Sequence, residues 1–471
     1  MRKTKRLWTA AFCLLIAAPL QMVMAQEDAD STAAAQEAEL NADSALPEVW
    51  DLQACINYAL QQNITVRKNR LSRESAEVDL KTAKADLFPS LSASVSQRFV
   101  NRPKNESSTI IDGDNITSTT SKTTYNGSYG IDLNWTLYSG NTRLNTIKQQ
   151  RLNGQISDLT VDESENSIQE QIAQLYVQIL YTAEAVTVNE ETLVASTADR
   201  DRGLERYKIG DISKVDLAQL ESQVAQDNYN VVNAQATLQD YKLQLKQLLE
   251  LTGEYEMNLY IPVLDDSSVL VPLPSKSDVY QAALAVRPEI QSAQLSIDVA
   301  DLDIKIARGG YLPTLSFTAG IGTSHTNSSD YTFSEQIKQN WDNSFGLSLS
   351  IPIYSKRQTR SSIEKAKIQK LSSELDLIDE QKTLYKTIEG FWLDANSAQQ
   401  QYAAAVAQVE SSQLSYELVQ QQFDLGMKNT IELLTEKNTL LSAKQQMLQA
   451  KYTAILSMQL LNFYQGLNIN L

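Results

Sequence analysis

Two hydrophobic periods alternate along the chain. Four runs switch strictly between apolar and polar positions. In the first, Leu91, Ala93, Val95 and Phe99 oppose Ser92, Ser94, Ser96 and Arg98. In the second, Tyr129, Ile131, Leu133, Trp135 and Leu137 oppose Gly130, Asp132, Asn134 and Thr136. The third sets Leu315, Phe317, Ala319 and Ile321 against Ser316, Thr318, Gly320 and Gly322. The fourth sets Phe345, Leu347, Leu349, Ile351 and Ile353 against Gly346, Ser348 and Ser350. A period of two belongs to a strand with one apolar face. Strands are therefore predicted at about 91–100, 128–138, 314–323 and 344–354. Elsewhere the period is that of a coiled-coil seam. Leu217, Leu220, Val224, Val231, Ala234, Leu238, Tyr241, Leu245 and Leu248 step by three, four or seven, and Leu434, Leu441, Leu448 and Ile455 step by seven. Residues 142–206 predict a 65-residue helix, roughly 100 Å long at 1.5 Å per residue. Its remaining surface of Gln, Ser, Thr, Asn and Asp is a wet face.

The pattern occurs twice. Leu87-Phe88-Pro89-Ser90-Leu91 returns as Tyr311-Leu312-Pro313-Thr314-Leu315. Trp135-Thr136-Leu137-Tyr138-Ser139 returns as Ile351-Pro352-Ile353-Tyr354-Ser355, and Tyr207-Lys208-Ile209-Gly210 as Phe423-Asp424-Leu425-Gly426. Both Tyr138 to Gly210 and Tyr354 to Gly426 span 72 residues. The period is far above that of a solenoid, so two structural repeats are expected, at 48–270 and 271–471. Each begins with helix, 50–87 or 276–311, ending just before a Pro. Two strands, a very long helix, a Gly turn and a second long helix follow.

Each strand has the length of a tilted membrane strand. A soluble sandwich is the alternative, but here the strands come only in two hairpins separated by helices. Four strands cannot close a barrel with a polar lumen, and lipid tolerates no open sheet edge. Other chains must therefore pair the edges. Leu133, Trp135, Phe317, Leu347 and Leu349 are expected to face lipid, and Ser316 and Ser348 the lumen. The joins at 101–126 and 323–343 are rich in Asn, Ser and Thr and are expected as loops outside the cell.

Composition narrows the functions. Of 471 residues, 41 are Lys or Arg and 57 Asp or Glu, a net charge of −16. That balance argues against nucleic acid, which needs a basic face. A single His, His325, excludes His-rich metal sites. Two Cys, with Cys13 in the leader, leave only Cys55 and hence no intrachain disulfide. Twenty Tyr against nine Phe suit aromatics placed where apolar and wet surroundings meet. Residues 1–25 read as a signal peptide, with Arg2, Lys3, Lys5 and Arg6 before the apolar stretch Leu7 to Leu20 and small residues ending at Ala25. Residues 26–47 read as an acidic, disordered lead-in. No later segment has 18 consecutive apolar residues, so a membrane-bound form does not cross as an apolar helix.

Two hairpin tips, at 206–213 and 422–429, carry the remaining signal. Gly210 and Gly426 are placed to end helices in the left-handed conformation. Ser213 and Asn429 are placed as N-caps, with Asp216 and Glu432 at N3. Together with the Leu-Phe-Pro and Tyr-Leu-Pro junctions and Pro352-Ile353-Tyr354, these tips resemble the TolC-like family of outer-membrane efflux proteins across residues 50–465. The resemblance implies a mainly α fold with a membrane β-barrel. A homotrimer would form one 12-stranded barrel on a periplasmic α-helical tunnel. Its expected partners are a periplasmic adaptor (membrane fusion) protein, an inner-membrane RND- or ABC-type transporter and outer-membrane lipid. Location in the outer membrane of a Gram-negative bacterium, no cofactor and no catalysis are implied as well. Arg206, Tyr207, Ile209, Gly210, Leu425, Gly426 and Met427 become adaptor-docking candidates. Asp216, Glu432, Lys428 and Phe423 become gate candidates. Two readings compete at the tips: Ile209 and Leu425 staple their own turns or meet a partner, and Glu432 caps its helix or also lines the pore. Phe423 stands where the family often has a Tyr bonded toward the acid matching Asp216, and it lacks that hydroxyl. A coiled-coil adaptor would explain the helices but not the hairpins. A periplasmic enzyme would have to use Asp301, Asp303 or the tip acids, which read better as solvated helix faces.

Overall fold

The computed structural model describes residues 47–103, 108–112, 115–119, 123–251, 257–262 and 269–470. The expected leader, and all of the lead-in but Pro47, lie outside the described residues. Two units are distinguished. In the small one, of residues 47–54 and 257–260, Trp50 and Leu259 form a parallel bridge. Trp50 N donates to Asn258 O and Tyr260 N to Trp50 O, each at 2.9 Å.

The large unit holds the remaining described residues. Its helices are α1 (Leu52–Gln62, which starts in the small unit), α2 (Ile64–Ala85), α3 (Thr142–Lys208), α4 (Lys214–Leu248), α5 (Lys276–Val286), α6 (Pro288–Gly309), α7 (Phe333–Gln339), α8 (Gln358–Asp424) and α9 (Thr430–Tyr464). Its strands are β1 (Ser90–Asn101), β2 (Ser108–Asp112), β3 (Asn115–Thr119), β4 (Thr123–Ser139), β5 (Thr314–Thr326) and β6 (Asp342–Ser350). Helices α3 and α8 have 67 residues each, and α4 and α9 have 35 each.

Each helix expected before a Pro is instead a pair. Asn63 interrupts 50–87, its side chain accepting from Thr65 N at 2.9 Å and Val66 N at 3.4 Å to start α2. Pro288 interrupts 276–311. It stands at the first position of α6, and Arg287 before it is extended. The fourth strand stops at Ser350, short of the expected 354, because Pro352 has no N–H to donate. The expected loops also hold structure. Strands β2 and β3 pair within 101–126, and α7 lies within 323–343. His325 belongs to β5 rather than to a loop.

Strands β1, β4, β5 and β6 form one antiparallel sheet in that order. Trp135, Phe317 and Leu347 are register partners across β4, β5 and β6, as are Leu133, Ala319 and Phe345. Leu349 pairs with Leu315. The five residues expected to face lipid therefore share one face. Much of that face is bare: Leu91, Phe345 and Leu347 are 71%, 78% and 68% exposed. Strands β1 and β6 are the sheet's outer edges.

The helices repeat this ribbon arrangement. Near the sheet, α2 packs on α3, α3 on α6 and α6 on α8. Further along, α3 pairs with α4 and α8 with α9, and α9 against α3 joins the two hairpins. The buried seams are apolar, as where Ala398 and Tyr402 of α8 meet Ala450, Ala454 and Ile455 of α9. No helix among the described residues is long and apolar enough to cross a membrane.

Candidate functional site: the hairpin turns

Each turn is built by local chemistry. After α3, Gly210 adopts φ +80°. Its N–H donates to Tyr207 O at 3.0 Å, and Asp211 N to Arg206 O at 2.9 Å. After α8, Gly426 adopts φ +75°, with Gly426 N donating to Phe423 O at 3.0 Å and Met427 N to Gln422 O at 2.8 Å. These paired bonds close each helix end on a left-handed residue. A capping box then starts the next helix. Asp216 N donates to Ser213 Oγ and Ser213 N to Asp216 Oδ2, both at 3.1 Å. Glu432 N donates to Asn429 Oδ1 at 2.9 Å and Asn429 N to Glu432 Oε2 at 3.1 Å.

The expected tip residues divide into two groups. Ile209, Leu425 and Met427 are 81%, 73% and 65% exposed, so most of their surface is bare. Tyr207 is partly exposed. Arg206 and Phe423 turn inward and tie the two hairpins together. Arg206 Nη1 donates to Phe423 O at 2.6 Å, and its Nε to Asp211 Oδ2 at 2.5 Å. Its guanidinium lies 4.8 Å from the centre of the buried Phe423 ring. Phe423, which has no hydroxyl, thus meets the other hairpin through its carbonyl and its ring. Asp216 also reaches across. Hydrogen bonds from Ser213, and then from the buried Thr430, hold its carboxyl below the usual carboxylate range. Lys428 Nζ lies 2.6 Å from Glu432 Oε1 and lowers that carboxyl likewise.

Behind the turns lies a buried polar knot that the sequence reading missed. Ser196 and Asp199 of α3, Asp227 of α4 and Lys437 of α9 are all buried. Lys437 Nζ donates to Ser196 Oγ and lies 3.7 Å from Asp227 Oδ2 and 3.8 Å from Asp199 Oδ2. Tyr416 Oη and Gln420 Nε2 of α8 donate to Asp199 at 3.4 and 3.3 Å. Arg202 also pairs with Asp199, and Gln223 Nε2 donates to Asp227 Oδ1 at 2.9 Å. Burial pushes the Lys437 ammonium down, against the pull of both carboxylates, and pushes the Tyr416 phenol up. All four long helices meet here. A signal was available: Asp227 stands midway between Val224 and Val231 at seam spacing, and Lys437 follows Leu433 at the same spacing.

No group of three metal-ligating side chains occurs among the described residues. The family model for outer membrane efflux proteins matches residues 55–250 and 279–466. The chain belongs to the outer membrane efflux protein family. Outer membrane protein TolC of Escherichia coli is 22% identical to it over 420 residues, covering 88% of this chain and 82% of that protein. Outer membrane efflux protein BepC of Brucella suis is 24% identical over 334 residues, 70% of each. The solved structure of CusC superposes with a TM-score of 0.75 at 19% identity, covering 88% of this chain and 92% of that one. As a member of this family the chain is an outer-membrane exit duct of an efflux or secretion system.

Proposed function

We propose that three copies close a single 12-stranded barrel, each contributing the sheet β1–β4–β5–β6, above a periplasmic tunnel of helices. The observation that carries this is the sheet with two unpaired edges and a bare apolar face. Pairing β6 of one copy with β1 of the next satisfies the edge amides that lipid cannot. The helix ribbon, with α2 and α8 outermost, closes in the same sense. The two repeats, 48–270 and 271–471, are the duplicated halves of each subunit, and residues 1–25 direct export.

The tips dock a periplasmic adaptor, which joins the duct to an inner-membrane RND- or ABC-type transporter. Ile209, Leu425 and Met427 support this role, because a bare apolar cluster at a helix turn favours a partner that covers it. The chain itself is a conduit, without cofactor or catalysis. Asp216, Lys428 and Glu432 regulate its periplasmic mouth, and Arg206 and Phe423 brace it.

Two measurements test the proposal. The detergent-extracted protein is expected to sediment as a trimer, and a monomer would overturn the shared barrel. Gly210→Val and Gly426→Val are expected to leave that trimer assembled while abolishing export. At Gly210 an added Cβ meets nothing within 4 Å, but the φ of +80° strains any L side chain, so Val reshapes the exposed turn without clashing with the helices behind it. Export that survives with an intact trimer removes the tips from docking.

A further inference from the structure

The connection between β5 and β6 is a folded element standing on one face of the sheet. A capping box starts α7, with Thr332 N donating to Glu335 Oε2 at 2.8 Å and Glu335 N to Thr332 Oγ1 at 3.4 Å. Three bonds tie the segment to β5. Thr323 Oγ1 donates to Ile337 O at 2.8 Å, Thr326 N to Gln336 Oε1 at 2.8 Å, and Asn340 Nδ2 to Ser324 O at 2.7 Å. Gln336 is buried in the process.

The side on which α7 stands is fixed by alternation. Thr323 and His325 share the face of Leu315, Phe317 and Ile321. The His325 ring meets Phe333 edge-on at 4.8 Å, stacks on Tyr129 at 5.9 Å, and lies 5.5 Å from Tyr125. The segment therefore packs on the apolar face, away from the serine and glycine face. Around it Tyr331, Phe333 and Trp341 remain 56%, 57% and 57% exposed.

Its height is also fixed. Leu315 to His325 is ten residues along β5, roughly 33 Å of strand and about 25 Å of height at a tilt near 40°. An outer-membrane barrel has an apolar band of that height, with aromatic rings at both margins. Trp135 and Phe317 lie near one margin, and Tyr125, Tyr129, His325 and α7 at the other.

We propose that α7 and its flanking aromatics form an interfacial anchor, seated at the headgroup–acyl boundary of the outer leaflet. The occupant of this surface is lipid, because the surface continues the lipid-facing side of the sheet. Asp330, Glu335 and Asp342 outnumber Lys338 along the segment. Apolar ring burial, rather than attraction to anionic headgroups, therefore drives the seating. The anchor fixes the depth of the barrel and holds this connection off the pore mouth.

The inference rests on the membrane reading of the sheet, and the test separates the two. One variant keeps Trp341 and carries Trp8→Phe, Trp50→Phe, Trp135→Phe and Trp392→Phe. Its companion adds Trp341→Phe and Phe345→Trp, placing the probe opposite Ala319 at mid-sheet. Both are reconstituted in phosphatidylcholine vesicles with bromines either close to the headgroup or deep in the acyl chain. Trp341 is expected to be quenched more by shallow bromines than by deep ones and to lose quenching by aqueous acrylamide. The mid-sheet probe should show the reverse bromine order. If Trp341 is quenched by acrylamide and not by bromolipid while the mid-sheet probe is quenched, the anchor is wrong and the barrel stands. If neither probe is quenched by bromolipid, both readings fall. Should the multiple Phe variants not fold, Trp341→Phe alone in the otherwise native chain gives the same readout as the share of shallow quenching it removes. No change in that share overturns the anchor.

Discussion

At Glu432 two roles share one side chain. Its Oε2 accepts from the backbone that opens α9, and its Oε1 pairs with Lys428. Gln can still cap but loses the ion pair with Lys428, so Glu432→Gln is expected to lower stability only slightly. If the carboxylate also rings the periplasmic mouth in three copies, the same change reduces cation selectivity in bilayer conductance and weakens block by multivalent cations. Unaltered selectivity and block would assign Glu432 to capping alone. The caps also set a pH dependence. Hydrogen bonds hold the Asp216 and Glu432 carboxyls below their ordinary values of 3.8 and 4.5. A lowered carboxyl contributes stability that is present above the ordinary value and is lost as pH falls through the lowered one. Order at the tips, followed by hydrogen exchange of the first turns of α4 and α9, is therefore expected to persist at pH 5 and to fade only below about pH 4. Fading already at pH 6 contradicts the assignment.

Between elements, the polar knot decides how the two hairpins hold together. Lys437 is 3% exposed, and Asp199 and Asp227 are 1% and 2% exposed. Removing one partner of a buried charge pair costs about 3–5 kcal/mol, whereas replacing the whole set by apolar residues is often neutral or stabilising. Lys437→Met is therefore expected to lower the unfolding free energy by about that amount, seen as a lower urea midpoint at unchanged slope. Adding Asp199→Leu and Asp227→Leu is expected to restore it. Additive losses on the three substitutions would show that the charges do not act as a unit. At this scale the apolar seams were legible in the sequence because a coiled coil repeats every few residues. The knot was not, because its members come from positions 196 to 437 and become neighbours only when four helices pack.

For the whole molecule, the proposed barrel sets the two faces of the sheet against different solvents. Leu133 pairs with Ala319 halfway up the apolar face, so Leu133→Arg is expected to destabilise the folded barrel by about 2–4 kcal/mol. Leu349, nearer the margin, should tolerate the change better, and Ser316→Arg and Ser348→Arg should be mild on the lumen side. Reversible unfolding in detergent or lipid gives the comparison, and equal damage on both faces would reverse the assignment of lipid and lumen.

The sequence by itself determined whatever repeats locally. Alternation placed the strands and their faces, seam spacing placed the long helices, and Gly210, Gly426, Ser213 and Asn429 marked the turns, because each depends on neighbours a few residues away. Asn63 and Pro288 carried local signals too, a cap and a helix start, which resolve each expected helix into two. Only the tertiary structure decided the rest. It paired β4 with β5 and so joined the two hairpins into one sheet. It turned Arg206 onto Phe423 of the other hairpin and gathered Asp199, Asp227 and Lys437. It also set α7 on the apolar face of β5, where a polar composition had suggested a free loop. Such contacts join residues far apart in the chain. What decides them is the burial of side chains that no local period brings together.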